Sequence, residues 1–139
     1  MLITPFTDLV EETQEIQAFL DTELDQGLVQ DNPEIIQERG HKLSSIISRT
    51  GKMKADAEYW LSAREGIDIV VQVKHLLGQI PTASASVQNS ILKTVCREER
   101  HLLSQIDRLN ATATHQLDWI RSCLSYEKQE RIASNYQRA

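Results

Sequence analysis

The sequence predicts an all-α protein: a long antiparallel helical hairpin with a shorter N-terminal amphipathic helix, assembled as an oligomeric helical bundle. Three observations carry this. Apolar residues recur at three- and four-residue spacing along most of the 139 residues. Only three prolines, at positions 5, 33 and 81, interrupt the chain. No segment has a partner strand with which to build a sheet. The length fits one domain, 1–139, and a hydrophobic share of 40% is enough for a core.

Helix one, about 5–26, opens at Thr4-Pro5, with Asp8 and Glu11 spaced as a capping box, and closes near Gly27. Phe6, Leu9, Thr13, Ile16 and Leu20 form its apolar stripe, while Glu11, Glu12 and Glu15 suit the positive end of the helix dipole.

Helix two, about 33–79, starts at Asn32-Pro33-Glu34, where Asn caps, Pro fits the first turn and Glu complements the dipole. Gly40, Gly51 and Gly66 weaken it, and a break near Gly40 or Gly51 is one outcome. Gly40, Gly51 and Ser62 recur every eleven residues and would align as a smooth ridge for close helix approach. The run from Gly66 to Val73 alternates like a strand, but the helical flanks and the missing partner strand favour helix.

A turn at residues 79–83 then leads into helix three, about 84–136, which holds neither Gly nor Pro from Ser84 to Tyr136. Its stripe is Ile91, Val95, Leu102, Ile106, Leu109, Ala113, Leu117, Ile120 and Leu124, with Glu98 as a flaw. Ile91, Leu102, Ala113 and Leu124 recur every eleven residues, which predicts a nearly straight or slightly right-handed seam instead of a heptad supercoil. Opposite charges then face each other across the hairpin: Asp68 with Arg97, Glu65 with Arg100, and Lys54 and Glu58 with Asp107 and Arg108. Helix three would be on the order of 75 Å long and helix one only about 30 Å, so much of the hairpin needs another partner. Ile67, Val70, Val71, Val73, Leu76, Leu77 and Ile80 surround helix two near the turn, and a homo-oligomer covers them most economically.

Charge divides the chain. The first 38 residues carry ten acids and no Lys or Arg, and the remainder carries fifteen basic and ten acidic side chains, for a net charge of −5. Sustained duplex DNA binding is disfavoured by that balance. Neither a leader-like opening nor an apolar run of about 18 residues occurs, which predicts a soluble cytoplasmic protein without a membrane segment. In that compartment Cys96 and Cys123 are expected as thiols, and the Asn110-Ala111-Thr112 sequon carries no meaning.

Two clusters hold the candidate chemistry. Lys93, Arg97, Arg100, His101 and Arg108 lie within about a third of helix three's circumference, pointing away from its apolar seam. They suit either a solvated face paired with acids such as Glu99 or a phosphate contact, for which Arg supplies bidentate donors. His115, Trp119 and Tyr126, with Thr112 and Cys123 beside them, lie roughly opposite the seam. That face serves as the dock for helix one or as a ligand or partner site. Metal-ligand spacings, Gly-rich phosphate loops and a Cys/His or GxSxG arrangement are missing, so neither an enzyme, a metal site nor a cofactor is expected.

The segment from Arg108 to Asp118, with Ser125-Tyr126-Glu127-Lys128 after it, resembles small helical accessory proteins of tailed phages and prophages. The resemblance implies a short early-region protein working beside replication, recombination or host defence in the host cytoplasm. Counter-defence by nucleotide sequestration in a helical oligomer is one version. The expected function is thus a non-catalytic homo-oligomer that binds a nucleotide or nucleic acid, with a protein-binding adaptor or inhibitor as the alternative.

Overall fold

The computed structural model describes residues 2–22, 32–79 and 85–138, and all the regular structure among them is helical. Five helices follow one another: α1 (Phe6–Asp21), α2 (Pro33–Glu65), α3 (Asp68–Gly78), α4 (Ala85–Val95) and α5 (Arg97–Arg138). The expected end of helix one near Gly27, the residues 80–83 of the expected turn, and Ser84 lie outside the described residues.

Two expected long helices are each interrupted once. Helix two stays continuous through Gly40 and Gly51 and breaks at Gly66-Ile67, where Ile67 is extended (φ −70°, ψ 140°). The amide of Gly66 bonds back to Ser62 and that of Ile67 to Arg64, so the last turn tightens before the chain leaves the helix. Gly followed by a β-branched residue is a weak spot for helix, and α3 resumes at once. The segment that alternates like a strand is thus helical from Asp68 onward. Helix three is interrupted at Cys96, between α4 and α5, with no Gly or Pro to mark the place. This break moves Glu98 out of the apolar stripe, leaving it exposed.

The capping box of helix one does not form. The helix begins at Phe6, after Pro5, and no side chain caps it, so Asp8 sits in the first turn instead of ahead of it. Asn32 likewise makes no side-chain cap bond before Pro33.

The core lies between α1, α2 and α5. Leu9, Ile16 and Leu20 of α1 meet Ile36, Leu43, Ile46, Met53 and Ala57 of α2 and the stripe Leu102, Ile106, Leu109, Ala113, Leu117 and Ile120 of α5. The stripe is buried from 102 to 120, and its expected outer members fall away: Ile91 is 39% exposed and Leu124 is half-buried. Helices α2 and α5 run antiparallel, because Glu65 pairs with Arg100 at 2.9 Å, Lys54 with Asp107 at 3.0 Å, and Gly40 approaches Ile120. The first two are pairings that the charge pattern anticipates. The side chain of Asp68 is outside the described set, and Arg108 makes no ion pair among the described residues.

Gly40 is the one member of the eleven-residue ridge that works as a close contact. A Cβ there would sit 3.4 Å from Ile120 Cγ2, whereas one at exposed Gly51 would meet nothing within 4 Å. Gly51→Ala should therefore raise stability by about 1 kcal/mol through helix propensity alone, read as a higher urea midpoint at unchanged slope.

Helix one does not dock on the Trp119 face. It fills the groove between α2 and α5, with Arg49 bonded to Glu12 at 2.7 Å, Arg39 to the Phe19 carbonyl at 3.3 Å, and Gln116 donating to the Leu20 carbonyl at 3.0 Å. The physical reason is burial: in that groove a single apolar stripe meets two others, and Trp119 stays 49% exposed.

Ahead of α1 the chain is strapped across α2. Thr4 donates its amide to the Asp56 carboxylate at 3.2 Å and accepts from Trp60 Nε1 at 2.8 Å on its carbonyl, while Lys52 reaches Asp56 at 2.6 Å. Burial pushes the Asp56 carboxyl up, but the hydrogen bonds from Lys52 and Thr4 outweigh it and hold the group below its ordinary value. A carboxyl depressed in the folded state adds stability above its unfolded value of about 3.9, and loses it as the pH falls through the lower folded value. Melting temperature should accordingly drop on acidification below about pH 4. Asp56→Asn should cost about 1–3 kcal/mol at neutral pH and flatten that acid limb, as followed by thermal melts across the pH range.

Candidate functional site

The basic row divides at the Cys96 break. Lys93 is exposed in the last turn of α4, while Arg97 is the first residue of α5 and is exposed too. His101 and Arg108 follow on α5, both exposed. Arg100 is withdrawn from the row. Its guanidinium turns to Glu65 on α2, and its Nε is buried without a hydrogen-bond partner among the described residues.

Beside the break lies an open cleft of about 450 Å³, lined by Arg64 of α2, Thr94 and Val95 of α4, and Arg97, Glu98 and Glu99 of α5. Arg64 lies 3.8 Å from Glu99 across it. Two guanidiniums and two carboxylates share this space, so its formal charge cancels, and Arg97 is the cation in it without an ion pair among the described residues. Arg108 is about 16 Å further along α5 at the ordinary helical rise, too far to join Arg97 in one compact site. The row is therefore a line of cations with a cleft at one end.

Cys96 sits at the break, 1% exposed. Burial first, then the nearby carboxylates of Glu65 and Glu99, push its thiol up against the opposing pull of Arg100 and Arg64. A thiol so placed is a poor nucleophile. Cys96 and Cys123 are both free.

The second face remains open along α5. Thr112 and His115 are exposed, Trp119 is 49% and Tyr126 65% exposed, and Cys123 is half-buried. A hydrogen bond to Glu130, one turn on, raises the Tyr126 phenol. Nothing on α1 covers these residues, so the face is available to another molecule.

No family model, curated protein or solved structure matches the chain.

Sequence reasoning missed Arg64 and Thr94 as neighbours of Arg97. The antiparallel register could have supplied Arg64, since the same register that sets Glu65 against Arg100 brings Arg64 beside Glu99. It also missed a second open cleft, of about 310 Å³, where Glu12, Glu15 and Phe19 of α1 face Lys42 and Arg49 of α2. There Glu12 and Arg49 neutralise each other, and Lys42 stands 4.3 Å over the Phe19 ring. Among the described residues, no cluster of three His, Cys, Asp or Glu could hold a metal, and no helix is long and apolar enough to cross a membrane.

Proposed function

We propose that this is a non-catalytic helical protein that self-associates and binds a phosphate-bearing ligand, a nucleotide or nucleic acid, with Arg97 at the centre of the contact. A contrast among its cations carries this reading. Arg49, Lys52, Lys54, Arg64 and Arg100 each face a carboxylate, whereas Lys93, Arg97 and Arg108 face none among the described residues. Cations that only solubilise a bundle are free to pair with its many acids, so a row left unpaired beside a cleft suits an anion from outside. The long α2–α5 pairing serves as the hairpin of an oligomeric bundle, and Arg97, Thr94 and Arg64 line a space of nucleotide size. His101 and Arg108 extend the contact along α5 for a longer ligand. A phage accessory role in counter-defence, by sequestering nucleotides in the host cytoplasm, is the setting to which the resemblance of residues 108–128 points.

A second reading, a protein-binding adaptor or inhibitor, is favoured by one observation: Trp119 and Tyr126 are large aromatic residues left exposed on one face of α5. Fluorescence titration with a nucleoside triphosphate and with a short oligonucleotide separates the two. The double change Arg97→Glu and Arg108→Glu should weaken binding at least ten-fold, a loss of about 1.4 kcal/mol or more, while Trp119→Ala leaves it unchanged. Wild-type protein that binds neither probe removes the phosphate reading and leaves the adaptor.

A further inference from the structure

We infer that the α3–α4 tip is the surface on which a second copy of this chain seats. The inference rests on the self-association proposed above and assigns it a place. Residues 67–95 hold only Asp68, Lys74 and Lys93 of the chain's 15 basic and 20 acidic side chains. Within the same stretch Ile67 is 41%, Val71 51%, Leu76 60% and Ile91 39% exposed. Exposed aliphatic surface that is nearly empty of charge has the composition of an interface core and not of solvated helix.

The chemistry of the tip selects its occupant. A membrane surface is held by aromatic side chains and by clusters of Lys and Arg, and the tip has two lysines and no aromatic residue between Trp60 and Trp119. An unlike protein is usually chosen by charge pairs and by aromatic or Arg anchors, which the tip also lacks. A second copy needs neither. Its aliphatic rows need only meet their own counterparts about a two-fold axis. Like charge also fails to oppose the encounter there, because the tip's two lysines and one aspartate leave the whole excess of negative charge on the rest of the chain. Helices α3 and α4 have 11 residues each and are tied by Gln88 donating to the Leu77 carbonyl at 3.3 Å. Two such pairs, each about 16 Å long, make a short four-helix bundle.

Sedimentation velocity of the full chain tests this with two variants in the tip and one outside it. Wild type is expected as a dimer or a higher even-numbered assembly. Leu76→Glu on α3 and Ile91→Glu on α4 should each weaken self-association at least ten-fold at unchanged helical circular dichroism. Ile132→Glu, at a residue 50% exposed on the far part of α5, should leave assembly intact. An assembly indifferent to both tip variants overturns the inference while sparing self-association itself. A monomeric wild type overturns both, and so does one that co-sediments with phosphatidylcholine–phosphatidylserine vesicles as a monomer.

Discussion

Ile106→Ala is expected to lower stability by about 2–5 kcal/mol, the range for truncating a fully buried aliphatic side chain. Ile106 is 0% exposed and lies midway along the α5 stripe, where α1, α2 and α5 share one core. The removed atoms leave a cavity that helices on all sides are too rigid to fill, so the cavity adds to the lost transfer free energy. Ile132→Ala gives the contrast: the same deletion at a residue 50% exposed should stay within about 0.5 kcal/mol of wild type. Urea unfolding of the three proteins measures both. Equal midpoints for Ile106→Ala and wild type would mean that the three-helix core is wrongly drawn.

Leu9→Asp is expected to release α1 from the groove. Leu9 is 0% exposed among apolar neighbours, and a carboxylate forced there without a partner costs several kcal/mol. Detaching α1 exposes few of its side chains, chiefly Leu9, Ile16 and Leu20, while the α2–α5 contact keeps its ion pairs and the Asn110 bonds to Ile47 and Thr50. The cheaper response is therefore local opening rather than global unfolding. Hydrogen exchange should show protection lost over residues 6–21 and kept over residues 102–120. Protection retained in α1 would place that helix elsewhere.

The parts of this fold legible in the sequence are those set by local period. The stripe from Leu102 to Ile120 is regular enough to give both the helix and its buried face, and Pro33 marks the start of α2. Charge pairing across the seam was legible for Glu65 with Arg100 and for Lys54 with Asp107, because an antiparallel register links one pair to the next. The two breaks were not. At Gly66-Ile67 the β-branched run competes with three weak glycines for the place where the helix gives way, and at Cys96 no residue type announces a break. The seat of α1 was misplaced because periodicity shows that Phe6, Leu9, Ile16 and Leu20 share a face without showing which groove takes it. The strap from Thr4 to Asp56 and Trp60 joins residues more than fifty apart, a contact that no local pattern encodes. For the candidate site, the face that carries Arg97, His101 and Arg108 was legible from helical projection. The withdrawal of Arg100 into an ion pair depended on α2 and became evident only with the fold.

The central claim, a self-associating helical protein that holds a phosphate-bearing ligand, is tested most directly by native mass spectrometry of freshly purified full-length protein. The account predicts an assembly of two or more copies carrying the excess mass of a nucleotide-sized ligand, with that excess lost in the Arg97→Glu, Arg108→Glu variant. A ligand-free monomer that gains no mass on adding nucleotide or oligonucleotide would contradict it.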